Sequence, residues 1–392
     1  MHPRLAVAQR ADVPPFHVMD VLRASAERQR THGDLISLAA GQPVTGAPAP
    51  VREEAVRLLG GPDPLGYTEA AGILPLREAI AGHHRRMHDL DVSAGDVVVT
   101  TGSSGGFVLA FLAAFDVGAR VALARPGYPC YRNVLTALGC EVVEVETGPE
   151  TRFQPSVEQL EQLGPIDGLV VASPANPTGT MLLPDELAAL AAWCEDHGVQ
   201  LVSDEIYHGI EYAALDGDAP LARCAWETSR EAVVFHSFSK YFSMTGWRIG
   251  WMLVPERLRR AVDVLTGNLT ICPPALAQHA AVAAFTDASY AEIDGHVRAY
   301  AASRSLMLER LAAMGIDRLA PADGAFYVYA DVGHLTDDTV AWARRLLAET
   351  GVAVAVGRDF DVVDGDRHVR LSFAAGEADV AEGLARLEAW LP

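Results

Sequence analysis

Lysine is nearly absent from this sequence. One lysine, Lys240, stands among 392 residues, and every other basic side chain of permanent charge is arginine. Positive charge is scarce as a whole: Lys and Arg number 31 against 51 Asp and Glu, a formal net charge of −20 at pH 7. Such a chain repels phosphate polymers and anionic bilayers, so neither nucleic acid nor a membrane surface is an expected partner. The densest basic stretch, His83 to Arg86, is too short to offset this. Any small anionic ligand must be held by local arginines or backbone N–H groups against an unfavourable field.

Cysteine is also sparse. The five thiols (Cys130, Cys140, Cys194, Cys224, Cys272) are odd in number and show no C-x-x-C spacing. That excludes a disulfide framework or zinc-ribbon pattern and fits a reducing compartment. Long hydrophobic runs are missing. The longest, Phe107 to Phe115, ends at Asp116 and is too short to cross a bilayer. The N-terminal stretch to Phe16 lacks the apolar core of a signal peptide, so a cytoplasmic location is expected.

What is present is an ordinary globular composition, 50% hydrophobic and 21% charged. Disorder and low-complexity structure are excluded. The length suggests about two domains. Short apolar runs at Val97–Thr100, Arg120–Ala124, Glu141–Val145, Gly168–Ala172, Gln200–Ser203, Ala232–His236 and Ile249–Val254 read as strands. Several are near-continuous hydrophobics, as strands covered on both faces require. Helical patterns such as Pro184–His197 separate many of them. This alternation predicts an α/β fold whose large domain holds a mostly parallel sheet, of the seven-stranded type, between helices.

Beyond residue 275 the pattern changes. A long helical stretch, Ala275–Met314, is broken near Thr286–Ser289. Short strands follow at Ala325–Ala330, Val352–Val356 and Val369–Phe373, then a last helix, Glu377–Trp390. Residues 1–45 carry one helix, Val18–Thr31, and too little material for a core of their own. The expected division is an N-terminal segment 1–45, a large domain 46–285, and a smaller α+β domain 286–392 that the N-terminal segment joins.

Several loops at expected strand ends carry chemistry. Lys240 in Ser237-Phe238-Ser239-Lys240 follows the Ala232–His236 run, where open α/β sheets place ligands. An isolated loop lysine is usually a solvated charge, but a surface lysine is readily replaced by arginine, and an amine nucleophile is not. Asp204 and Tyr207 end the Gln200–Ser203 run, where a carboxylate could pair with a protonated ring nitrogen or simply serve as a turn acid. Asn176 is fixed between Pro174 and Pro177. Gly102, Ser103 and Ser104 open a helix after Val97–Thr100, and a helix N-terminus attracts phosphate. Gly102, Ser104 and Gly106 also spell G-x-S-x-G, the nucleophile elbow of serine hydrolases, with Asp204 and His236 in the required order. Arg370 in an alternating strand suits a carboxylate or is an exposed-face charge. Tyr67 and Tyr128 lie in turn-rich loops. His84 and His88 have i,i+4 spacing, but no H-E-x-x-H occurs and arginines adjoin them, so no metal is expected.

As an ordered set these segments resemble the fold-type I pyridoxal-phosphate enzymes, specifically the class I/II aminotransferases of the aspartate aminotransferase superfamily. The resemblance runs from Gly41-Gln42-Pro43 and Gly66-Tyr67-Thr68 through Asn176-Pro177-Thr178-Gly179, Asp204-Glu205-Ile206-Tyr207, Ser237-Phe238-Ser239-Lys240 and Thr245-Gly246-Trp247-Arg248. It ends at Gly324-Ala325-Phe326-Tyr327 and Arg370-Leu371-Ser372-Phe373. It implies pyridoxal 5′-phosphate in a Schiff base with Lys240, Asp204 at the ring nitrogen, and Asn176 and Tyr207 at the ring oxygen. Ser103, Ser104, Ser237 and Arg248 would hold the phosphate, with Gly102 shaping the loop and Ser239 assisting. Tyr128 would stack on the ring. Tyr67 would reach the phosphate of a neighbouring subunit, which implies a homodimer. Arg370, with Gly41 and Asn176, would take the α-carboxylate of an amino acid exchanging its amino group with a 2-keto acid. A lysine common at the Ser104 position in bacterial aspartate aminotransferases of this subgroup is missing, so a neutral or hydrophobic amino acid is expected. Relatives on the same fold run lyase, cyclase or oxidase chemistry, and these stand as the alternative.

Overall fold

A computed structural model describes residues 7–62 and 64–392, so the first six residues of the stretch read for a signal peptide lie outside it. Twelve strands are present in this part: β1 (Ile36–Ser37), β2 (Val97–Thr100), β3 (Arg120–Arg125), β4 (Glu141–Glu146), β5 (Gly168–Ala172), β6 (Gln200–Asp204), β7 (Val233–Ser237), β8 (Gly250–Leu253), β9 (Tyr327–Asp331), β10 (Val352–Ala353), β11 (Ala355–Val356) and β12 (His368–Ser372).

Seven strands form the main sheet in the order β2-β8-β7-β6-β5-β3-β4. Strand β8 runs antiparallel to both neighbours, β2 and β7, and the other pairings are parallel. The apolar runs read from the sequence became these strands because both faces are covered: β2, β6, β7 and β8 are buried along their whole length. The antiparallel direction of β8 has no local signal, since a doubly covered strand shows the same residues in either direction.

The C-terminal part carries a three-stranded antiparallel sheet, β11-β12-β9. The expected single strand Val352–Val356 is two. Strand β10 pairs with β1 in parallel, and β11 pairs with β12. All five residues are buried, so burial gave no alternation to reveal the hand-over between sheets at Val354. The long C-terminal helical stretch breaks slightly earlier than expected: Ala275–Ala281, a 3-10 turn Val282–Phe285, then Asp287–Ala313. Thr286 starts the second helix by accepting from Ser289 N through its hydroxyl.

The N-terminal helix His17–His32 packs on β11 and on the helix Thr339–Thr350. Its first turn is capped from afar, since Asp359 accepts from His17 N and Val18 N at 2.7 Å each. Val18, Ala39, Tyr329, Leu347, Ala355 and Phe360 share one buried cluster, which ties this segment to the C-terminal elements. No helix of the described residues is long and apolar enough to cross a membrane.

Candidate active site

The carboxyl ends of β5, β6 and β7 open on a cavity of 390 Å³. Of the residues that the resemblance assigns to cofactor and substrate, all but Gly102 and Tyr67 line it.

Lys240 stands three residues beyond β7, in the turn that follows the strand. Its Nζ donates to Gly41 O at 2.6 Å and lies 5.4 Å from the centre of the Tyr207 ring. Burial pushes its pKa from 10.5 down to about 8, the Arg370 and Arg248 cations push the same way, and Asp204 partly opposes them. A lysine so placed has an appreciable free-amine fraction near neutral pH.

Asp204 is the last residue of β6 and is 2% exposed. Burial raises its pKa from 3.8 to about 6, while hydrogen bonds from Tyr131 and the backbone of Ile206 hold it down. Tyr131 OH donates to Asp204 Oδ2, and Ile206 N donates to Oδ1 at 3.2 Å. A buried carboxylate in this state gains from a cationic N–H beside it.

The phosphate-type seat is the start of the helix Gly102–Ala114. It follows Thr101, whose side chain makes no capping bond, so the first-turn N–H groups point out uncapped. Ser103 and Ser104 lie in that turn. Gly102 has φ of +66°, and a Cβ there would come 2.6 Å from Arg248 Nη2, so only glycine lets the guanidinium lie against the helix end. Arg248 itself is left-handed at φ 54° and anchors through Nη1 to Thr245 O at 3.0 Å. Ser237 Oγ accepts from Ser239 N at 3.0 Å, which fixes the loop below.

Arg370 marks a second, carboxylate-type seat in the cavity. Arg370 on β12 is 3% exposed. It donates from Nη1 to Asn176 Oδ1 and from Nη2 to Ala39 O, both at 2.8 Å, and its Nε has no partner. Its guanidinium lies 4.3 Å over the Tyr327 ring. Gly41 must be glycine here too, because a Cβ would sit 2.6 Å from Tyr327 OH.

Tyr207 is buried and shares a hydrogen bond of 2.7 Å with Tyr327 OH. Burial and the neighbouring phenol raise its pKa, so it stays a neutral donor. Tyr128 stands at the cavity wall, edge-on to Tyr131 with ring centres 5.5 Å apart. Tyr67 is 84% exposed and does not reach this cavity.

Reasoning from sequence quoted Tyr327 in its motif without giving it a role, and missed Tyr131 and an apolar wall of Phe16, Val18, Met19 and Leu22. Tyr131 carried a usable signal: it lies three residues after Tyr128, at the start of the helix Pro129–Leu138. The wall carried none, because it belongs to the N-terminal helix, far away in the chain.

Residues 33–387 match the family model described as aminotransferase class I and II. The chain belongs to this family. It is 60% identical over 387 residues to the valine–pyruvate aminotransferase of Mycobacterium tuberculosis, covering 98% of each chain. It is 37% identical over 376 residues to the aspartate/prephenate aminotransferase of Thermus thermophilus, covering 95% of each. Among solved structures it resembles an aminotransferase from Mycobacterium tuberculosis, with a TM-score of 0.96, 60% identity and 99% coverage of both chains. It also resembles the Thermus thermophilus aspartate aminotransferase with maleate, with a TM-score of 0.90, 34% identity and coverage of 98% and 99%.

This aminotransferase moves an amino group between an amino acid and a keto acid, on the fold type I architecture. The hydrolase reading of Ser104 is set aside by the same finding. The geometry agrees: Asp204 is bonded to Tyr131, and the His236 ring stacks on Trp251 with centres 5.0 Å apart. The lyase, cyclase and oxidase alternatives give way with it.

Proposed function

We propose that this aminotransferase works through pyridoxal 5′-phosphate carried on Lys240, with a neutral or hydrophobic L-amino acid as donor and a small 2-keto acid as acceptor. One observation carries the reading: the chain's only lysine is placed in the cavity with its pKa lowered to about 8, between a buried carboxylate and a buried arginine.

The residues fit the group. The uncapped helix start with Arg248 against Gly102 suits a phosphate. Asp204 suits a protonated ring nitrogen, and Tyr207 with Asn176 offers donors to a ring oxygen. Tyr128 offers a face for the ring. When bound, pyridoxal phosphate supplies an electron sink for negative charge at the substrate α-carbon.

The chain's own groups do the rest. Arg370 grips the α-carboxylate with the help of Asn176 and so orients the substrate. Lys240 Nζ, whose lowered pKa of about 8 leaves part of it as free amine near neutral pH, takes the α-proton. Gly41 O accepts from that amine and holds it in place. Asp204 would be kept ionised by a protonated ring nitrogen beside it and would hold that proton in place.

The side-chain preference follows from counting cations. Those lining the cavity among the described residues are Lys240, Arg248 and Arg370. With an amine, a phosphate and an α-carboxylate assigned to them, this chain keeps none for a second carboxylate. Part of the cavity wall is apolar, from Phe16, Met19 and Leu22. The relative named for valine and pyruvate, at 60% identity, supports the same class.

We infer in addition a cytoplasmic homodimer. Tyr67 is 84% exposed, with Leu269 and Ile271 exposed at 55% and 49%. Thr68 N donates to Cys272 Sγ at 3.5 Å, so these apolar groups lie close to one another. A second copy would cover them and bring Tyr67 to its phosphate seat. The same reading keeps 46–285 as the cofactor-binding domain and 286–392, with residues 1–45, as the smaller one.

The test is a half-reaction. Stoichiometric L-valine should convert the yellow enzyme to its amine form, and pyruvate should restore it. L-aspartate converting it at least as well as L-valine would overturn the substrate class.

A further inference from the structure

Along a strand, successive side chains face opposite ways. Asp204 and Ser237 end their strands at the cofactor cavity, so their chain neighbours Glu205 and His236 face the layer behind it. There they meet His208. Glu205 Oε2 lies 3.3 Å from His236 Nε2 and 3.5 Å from His208 Nδ1, and the three side chains are 0–4% exposed. The other carboxylate oxygen, Oε1, is satisfied by Ser203 Oγ at 2.9 Å and Ala225 N at 2.8 Å. Glu205 Oε2 and His236 Nε2 make no hydrogen bond at all, and His84 Nδ1 beside them makes none either. His84, Cys224 and His236 form a second group whose donor atoms lie within 4.8 Å of one another.

Buried polar atoms normally find partners, and several unpartnered ones in a single cluster point to something shared between them. The spacing says what. Ligand atoms held about 2.0–2.1 Å from a tetrahedral ion stand roughly 3.3–3.5 Å apart. Both separations have that value while lacking hydrogen-bond alignment, and the three donor atoms lie within 4.8 Å of one another. A carboxylate removed from water also requires a positive counterpart. Among the described residues the ion-pair partners of Glu205 are imidazoles, with no arginine or lysine.

We propose that Glu205, His208 and His236 form a buried binding site for a divalent cation of the zinc class, with Cys224 and His84 offering further donors on the His236 side. The donor set, imidazole nitrogen and carboxylate oxygen with a thiol at hand, selects zinc over calcium or magnesium. The cation would tie the ends of β6 and β7 together behind Asp204 and Ser237, as a structural element. The i,i+4 pair His84 and His88, for which the missing H-E-x-x-H and the adjoining arginines led to no metal being expected, is one edge of this cluster. The fold adds groups from three further segments, and His88 Nε2 shares a hydrogen bond of 3.4 Å with His208 Nδ1, a bond that a cation bound at Nδ1 would replace.

The test uses the holoenzyme from cells grown with added zinc chloride. Elemental analysis after gel filtration should find about one zinc per chain, and Glu205→Gln and His236→Gln should bring it to background while the proteins keep their circular dichroism. Should either variant fail to fold, anomalous diffraction at the zinc edge from wild-type crystals answers the same question and should show a peak between Glu205 and His236. Wild-type enzyme without zinc overturns the proposal. So does zinc content unchanged in the folded variants, or an anomalous peak elsewhere.

Discussion

Lys240 Nζ donates to the carbonyl oxygen of Gly41 at 2.6 Å, across 199 positions of the chain. The bond joins the turn after β7 to the N-terminal segment, and it holds the only lysine beside Asp204, Tyr207 and Arg370. The surroundings of that amine set the direction of its pKa shift. Burial and two neighbouring guanidinium groups disfavour the ammonium form more than Asp204 favours it.

In cofactor-free enzyme the Lys240 amine should therefore titrate near pH 8 instead of 10.5. Acylation rates followed on the Lys240 peptide by mass spectrometry check this. The N-terminal amine titrates in a similar range, about 7.7–8.0, and peptide-level detection keeps the two apart. A midpoint near 10.5 means that the amine is solvated.

Asp204 has the opposite sign. Its folded-state pKa of about 6 exceeds the ordinary 3.8, so the folded chain binds the extra proton between these values. The stabilising contribution is present below about pH 4 and is lost as pH rises through 6. Asp204→Asn should then stabilise the cofactor-free protein at pH 7, by up to about 3 kcal/mol, while lowering kcat by roughly a hundredfold or more. Denaturant unfolding at pH 4 and 7 together with steady-state rates measures both. A variant destabilised at pH 7 contradicts the burial argument.

Tyr131→Phe removes a hydrogen bond that favours the ionised carboxylate. The Asp204 pKa in cofactor-free enzyme should rise by roughly one to two units, the equivalent of a charge-assisted hydrogen bond. Carboxyl-carbon NMR titration reads it, and a fall would show that the phenol acts otherwise.

Arg370→Ala should raise KM for the amino acid by roughly a hundredfold, as loss of a buried charged contact costs about 3 kcal/mol. The absorbance of bound cofactor should persist, because Arg370 is held by Asn176 and Ala39 and takes no part in the Gly102–Arg248 seat. Loss of cofactor instead would place Arg370 in the wrong seat.

Gly102→Ala should weaken cofactor binding at least tenfold, since the new Cβ displaces the Arg248 guanidinium 2.6 Å away. The left-handed backbone adds a stability cost of about 1 kcal/mol. Equilibrium dialysis of pyridoxal phosphate and thermal unfolding separate the two effects.

Much of this was legible in the sequence because buried parallel strands announce themselves. Leu169, Val170, Val171 in β5 and Val233, Val234, Phe235 in β7 are continuous apolar runs, and the residues after such runs are where open sheets place ligands. That reasoning reached Asn176, Asp204, Ser237 and Lys240. It could not reach Tyr327, whose hydroxyl meets Tyr207 only after the smaller sheet folds against the larger. Nor could it find the Phe16–Leu22 wall, set in place by Asp359 at the opposite end of the chain. The buried partners of His84 were hidden for the same reason: His208, Cys224 and His236 come from separate loops and strands, and no spacing in the sequence relates them.

The central claim is that Lys240 carries the cofactor. The direct measurement is borohydride reduction of the enzyme with pyridoxal phosphate, followed by peptide mass mapping. The account requires one pyridoxyl group per chain on the peptide containing Lys240, and none on Lys240→Arg. A label confined to the N-terminal amine, or an unlabelled Lys240 in enzyme that still transaminates L-valine, would contradict it.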